Sequence, residues 1–209
     1  MKVGKSTAYF LIFGSILGIL GWIAMMPFVG GVDGGTDKEM IAGIAEDYDA
    51  ATILMPILLI AFTALVLGWR SVARSLGENS IWINSADLLL LISLGLGATS
   101  IGLMLGSGSP NLLDETIALA LWSAGEVIDL IGGIFLMLGL AIIGIVSLQR
   151  TSGDKILLIL SAILVIGSII GVANYMISGE TETELEAIPY LCLLVVSVGI
   201  GIKSLRTND

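Results

Sequence analysis

The chain contains no histidine, one cysteine and four prolines, and only 13% of its 209 residues are charged. Without histidine it lacks the commonest general base and the commonest metal ligand. His-ligated haem, type-1 copper and zinc–histidine chemistry are therefore excluded within this chain. The lone Cys192 leaves no intrachain disulfide to form, and inside an apolar run it reads as a small hydrophobe. Basic residues are scarce as well. Nine Lys and Arg stand against eighteen Asp and Glu, for a net charge of −9, a balance that does not attract nucleic acid.

What the chain has in abundance is apolar length. Hydrophobic residues make up 56% of it and the mean hydropathy is +1.02. A soluble domain is roughly 45–50% apolar and about 25% charged. A bilayer-spanning helix needs about 20 apolar residues, and six such runs use up nearly the whole sequence. They cover residues 7–28, 50–69, 81–105, 116–148, 156–177 and 187–202. The expected fold is an all-α, polytopic membrane bundle of six transmembrane helices, forming one domain over residues 1–209.

The few basic residues orient it. Lys2 and Lys5, Arg70 and Arg74, Arg150 and Lys155, and Lys203 and Arg206 all fall on one side of a six-span layout, and only Lys38 falls on the other. Excess Lys and Arg marks the cytoplasmic side, so both termini are expected inside the cell. The opposite segments carry Asp33, Asp37, Glu39, Glu46, Asp47, Asp49, Asp114, Glu115, Glu180, Glu182, Glu184 and Glu186. Such a face concentrates cations weakly, and it reads first as a solvated loop surface. The run from Ala8 to Val29 is longer than the roughly 7–15 residues of a secretory signal core and has no A-x-A site after it. It is expected to be retained as the first span.

Local signals fill in the loops. Thr36 and Glu39 form a T-x-x-E capping box, followed by Met40, Ile41, Ile44 and Tyr48 near helical spacing. A short amphipathic helix is expected there in the first outer loop, running into the second span. Thr181 and Glu184 form a second box before the last span, and Gly106–Pro110 breaks the chain after the third. Pro56, near the start of the second span, removes a backbone donor. The fourth run is uninterrupted from Thr116 to Leu148, about 50 Å of helix against a hydrocarbon core of about 30 Å. Trp69, Trp82 and Tyr9 map to the inner interface, and Tyr48, Tyr175 and Tyr190 to the outer, with Trp122 at the outer edge of the fourth span.

Three acids fall within the runs: Asp87, Glu126 and Asp129. Charge in the membrane is expensive, so these are the candidate ion, proton or polar-contact residues. No Lys or Arg lies in any run to neutralise them. Glu126 and Asp129 are three apart and share a helix face, and a close carboxylate pair suits proton or cation handling. Measured from Trp122, however, they lie about 6 and 10 Å along the helix, while Asp87 is about 8 Å from Trp82 at the other edge; a tilted fourth span starting at Thr116 would instead move the pair toward the middle. Asn84 and Ser85 lie within a turn of Asp87, and Asn174 is at a depth to meet Glu126 through an interhelical hydrogen bond. Gly14 with Gly18, Gly102 with Gly106, and Gly167 with Gly171 have the four-residue spacing that lets helices approach closely. No phosphate loop, metal cluster or nucleophile–base pair is present, so no cofactor and no enzyme activity are expected.

The stretch ALWSAGEVIDLIGGIFLMLGLAIIGI, Ala120 to Ile145, resembles the fourth-span region of small six-span prokaryotic integral membrane proteins of unknown function. The resemblance implies a compact helical bundle in a prokaryotic inner membrane and carries no known activity or site. The expected partners are membrane lipids, with a membrane protein or a second copy of the chain, and not nucleic acid. The expected role is a non-enzymatic accessory or interaction component; the rival is a small proton- or cation-coupled transporter or channel using the intramembrane carboxylates.

Overall fold

In a computed structural model, described over residues 4–28, 35–77, 80–112, 114–150, 153–177 and 187–207, the chain is a bundle of seven helices. They are α1 (Lys5–Met25), α2 (Asp37–Glu46), α3 (Tyr48–Ser75), α4 (Ile81–Ser107), α5 (Glu115–Arg150), α6 (Lys155–Ile177) and α7 (Ala187–Thr207). All except α2 are long and apolar enough to cross a membrane. The second capping box, Thr181 with Glu184, lies outside the described residues, as do Lys2, Asp33, Glu78 and the other acids of 180–186.

The spanning helices form a ring in chain order. Each packs on the next, and α7 closes against α1. Neighbours run antiparallel, and small residues set how close they come. On α4 and α5, Gly139 lies against the carbonyl of Ala86, Gly132 near that of Ser93, and Gly125 near that of Ser100. One seven-residue repeat on each helix thus matches the other, as expected of a left-handed helix pair with small residues at the contact. On α1 and α3, Gly14 meets the backbone of Ala61 and Leu65, and Gly68 meets Leu11. Gly167 and Gly171 on α6 pack on Cys192 and Met137. Gly18, Gly102 and Gly106 meet no helix of this chain: among the described residues a Cβ on any of them would meet nothing within 4 Å. They face outward, because the helices are apolar on every side and the four-residue motif alone does not say which side meets a neighbour.

The two ends of the ring are built differently. All six spanning helices contribute to one core, which includes Leu11, Trp69, Leu90, Leu140, Leu160 and Val196 and fills the half nearer the basic end. There the indole N–H of Trp69 on α3 donates to Ser197 Oγ on α7 at 2.9 Å, across the ring. Trp69 is therefore a core residue and not the interfacial anchor that its position in the sequence suggested. A second cluster, at the acidic end, joins Met25, Ile44, Ala51, Met55 and Trp122. Among the described residues, neither α6 nor α7 contributes to it.

Helix α2 roofs that second cluster. Its capping box forms as expected: Thr36 Oγ1 accepts from the Glu39 N–H at 3.4 Å, and Glu39 Oε2 accepts from the Thr36 N–H at 2.8 Å. Lys38 pairs with Glu115 of α5 at 2.7 Å. Ile44 is fully buried against Gly108, and Trp122 is buried beneath α2 instead of lying at a lipid interface. The chain breaks at Asp47, whose non-helical backbone (φ −130°, ψ 58°) separates α2 from α3. Pro56 is accommodated inside α3, and α5 runs unbroken for 36 residues.

Candidate functional site

Asp87 is neutralised, contrary to the expectation that no basic residue would reach it. Helix α3 continues six residues past Trp69, and this carries Arg70 and Arg74 alongside the first turns of α4. Arg70 forks onto the carboxylate, with Nε donating to Oδ1 at 2.6 Å and Nη2 to Oδ2 at 3.0 Å. Such bidentate pairs are the strong form of the guanidinium–carboxylate contact. Arg74 Nη2 adds a longer bond to Oδ2 at 3.3 Å. The Arg70 and Asp87 side chains are 17% and 20% exposed, whereas Arg74 is 55% exposed. Asn84 is exposed on α4 and, with Arg74, Ile83 and Asp87, lines a small open pocket of about 240 Å3.

The remaining two acids stand well away from this pair. The α4–α5 register puts Asp129 level with Leu96 of α4, about 14 Å from Asp87 along the axis. Leu96 is close to the middle of α4, so Asp129 stands near the mid-height of the bundle. Its direction follows from helical spacing. Ala118, Trp122, Gly125, Asp129, Gly132, Leu136, Gly139, Ile143 and Val146 recur at alternating four- and three-residue intervals, which makes one continuous face. Eight of these nine are buried and Asp129 alone is exposed. The outward side of α5 carries Val127, Ile131, Leu138 and Ile145, all exposed, on the opposite face.

Asp129 therefore sits on the bundle-facing side of α5. Gly133, one turn further on, packs against Tyr175, and α6 ends two residues later at Ile177. Among the described residues, α6 does not extend beyond that level. Among the described residues Asp129 has no hydrogen-bond or ion-pair partner. Glu126 is exposed one turn nearer the acidic end, close to Trp122 and Asp37. The Trp122 indole N–H is buried with no acceptor at hydrogen-bond geometry, and the Glu126 carboxylate is the polar group it faces. Asn174 is half-buried beside Tyr175, whose hydroxyl shares a hydrogen bond with that of Tyr190 on α7.

At the basic end, Asp154 caps α6 by accepting from the N–H groups of Ile156 and Leu157, each at 3.2 Å, and it takes a bond from Lys203 Nζ at 2.7 Å. The Lys203 ammonium, helped by the two backbone donors, holds the Asp154 carboxyl below the ordinary range. Thr7 and Ser71 join α1 to α3 through their hydroxyls at 2.6 Å, and Ser161 donates to Ser147 at 2.7 Å between α6 and α5. These are bonds that tie helices together.

Comparison with protein-family models, with curated proteins and with solved structures finds no match to this chain.

Proposed function

We propose that the protein is a non-enzymatic, multi-pass component of a cell membrane, with both termini on the cytoplasmic side, that works by holding a partner within the bilayer. The observation that carries this reading is the filled interior at the basic end: one core draws on all six spanning helices and is crossed by the Trp69–Ser197 bond. Such close packing in that half supports a structural role over conduction. The outward faces of the ring are apolar, with Phe13, Ile16, Leu88, Ile131, Ile159 and Val195 among the exposed residues. The orientation is supported by the placing of Lys5, Arg70, Arg74, Arg150, Lys155, Lys203 and Arg206 at one end. A pull-down of the tagged full chain from its own membrane in mild detergent tests the proposal. A stoichiometric co-purifying membrane protein is expected. A clean monomer that moves protons or cations in liposomes would replace it with the second reading.

That second reading is a proton- or cation-coupled transporter, and Asp129 favours it. A carboxylate near the mid-height of the bundle, on its inner side and without a partner among the described residues, is where a coupling ion would be held. Asp87 is not part of such a site, because Arg70 and Arg74 already occupy it. On this reading Asp129→Asn abolishes pH-dependent flux in proteoliposomes and Asp87→Asn does not.

A further inference from the structure

We infer that the pocket at the basic ends of α3 and α4 binds the phosphate headgroup of an anionic phospholipid, with an acyl chain lying along the outward face of α4. The inference rests on the membrane reading above. The pocket has the charge for it. Asp87 is one carboxylate between two guanidiniums, and Arg70 alone satisfies both of its oxygens. Arg74 spends a single long bond on it and is more than half exposed, so most of its five donors remain for another acceptor. Arg150 adds positive charge beside this corner. Its guanidinium rests against Gly77, whose N–H bonds the Arg74 carbonyl at 3.1 Å and whose positive φ of 131° turns the chain between the two helices. Among the described residues no carboxylate pairs with Arg150. Arg70, Arg74 and Arg150 outnumber Asp87, and still exceed it when Glu78, next in sequence to Gly77, is counted, so the corner has a surplus of positive charge, which selects a net anionic headgroup over a zwitterionic one.

The pocket also has the shape. Asn84 on its rim is followed on the same face of α4 by Leu88, Leu91, Gly95, Thr99, Gly102 and Gly106, at three- and four-residue spacing. Leu88 and Leu91 are exposed, and among the described residues Gly95, Gly102 and Gly106 have nothing within 4 Å of a Cβ. The glycines that bring no helix close therefore leave a shallow groove that begins at the pocket. From Asn84 to Gly95 the groove runs about 16 Å, close to one leaflet's half of a roughly 30 Å hydrocarbon core. Trp82, exposed in the first turn of α4, lies at the headgroup level where indoles favour the interface.

The test uses the purified full chain in mild detergent, titrated separately with phosphatidylglycerol, phosphatidylcholine and inorganic phosphate. Retained lipid is counted by native mass spectrometry and stabilisation is read as a shift in Tm. Phosphatidylglycerol is expected to be retained and to raise Tm, with little effect from the other two. Arg74→Gln should weaken phosphatidylglycerol binding about five-fold, the worth of one basic contact near a lipid surface. Gly95→Leu should weaken it by filling the groove, and Arg206→Gln, at the end of α7, should leave it unchanged. Equal binding of phosphatidylcholine, an equal effect of inorganic phosphate alone, or wild-type binding by Arg74→Gln would each overturn the lipid site. Alkaline carbonate extraction keeps the underlying reading separate: release from membranes would overturn that reading, whereas retention without lipid selectivity would overturn only the site.

Discussion

The Arg70–Asp87 pair makes a quantitative prediction about which partner is harder to lose. Breaking a buried ion pair by deleting one member costs about 3–5 kcal/mol, because a charge is left without compensation, whereas replacing both by apolar groups is often neutral. Here about a fifth of each side chain is still accessible, which lowers the ceiling. Asp87→Leu strands two guanidiniums side by side, and its cost is about 2–3 kcal/mol. Arg70→Leu leaves Asp87 with Arg74, already bonded at 3.3 Å and free to move closer, so its cost is smaller, about 1–2 kcal/mol. The double variant should recover most of the loss. The assay is reversible unfolding of the purified protein in mixed micelles with increasing dodecyl sulfate, followed by helical circular dichroism and analysed as a double-mutant cycle. Costs that simply add in the double variant, or an Arg70→Leu cost exceeding that of Asp87→Leu, would refute the argument.

Three further outcomes follow from the packing and the caps. Gly14→Ala places a Cβ within 3 Å of the α3 backbone and should cost about 1–3 kcal/mol, while Gly102→Ala, in open space, should be neutral or stabilising; the same unfolding assay separates them. Trp69→Phe removes the bond to Ser197 and leaves a cavity in the core, and should cost about 2–3 kcal/mol, with a smaller loss from Ser197→Ala in that background than in the wild type. Asp154 has a folded-state pKa below its unfolded value, so the unfolded chain binds the proton first on acidification. The stability it contributes is present above the unfolded value of about 3.8 and is lost as pH falls through the folded one. An Asp154→Ala variant should therefore have a lower Tm than wild type at pH 6, with the gap closing below pH 3.8.

The layout was legible because its signals are one-dimensional. Six apolar runs, the capping box at Thr36 and the break after Ser107 each depend on a short window of sequence. What depends on the faces of helices was harder to read. In a membrane helix both the packed and the exposed sides are apolar, so hydrophobicity does not mark the contact. This is why Gly14, Gly167 and Gly171 proved to be packed while Gly18, Gly102 and Gly106 did not. Asp87 looked uncompensated because the apolar window closes at Trp69, although the helix and its next two arginines continue past it. One signal was present in the sequence and went unused. The alternating three- and four-residue spacing from Ala118 to Val146, with Asp129 as its only charged member, already placed that carboxylate on the bundle side.

The uneven filling of the ring also equips the molecule with its own optical probes. Each half encloses one indole, Trp69 at the basic end and Trp122 beneath α2, while Trp22 and Trp82 are exposed on the outside. Brominated acyl chains would quench the outer pair and spare the inner pair. With the outer two replaced by phenylalanine and the inner two removed one at a time, the single remaining indole, Trp69 or Trp122, would report on whether the solid half and the roofed half loosen together or one before the other.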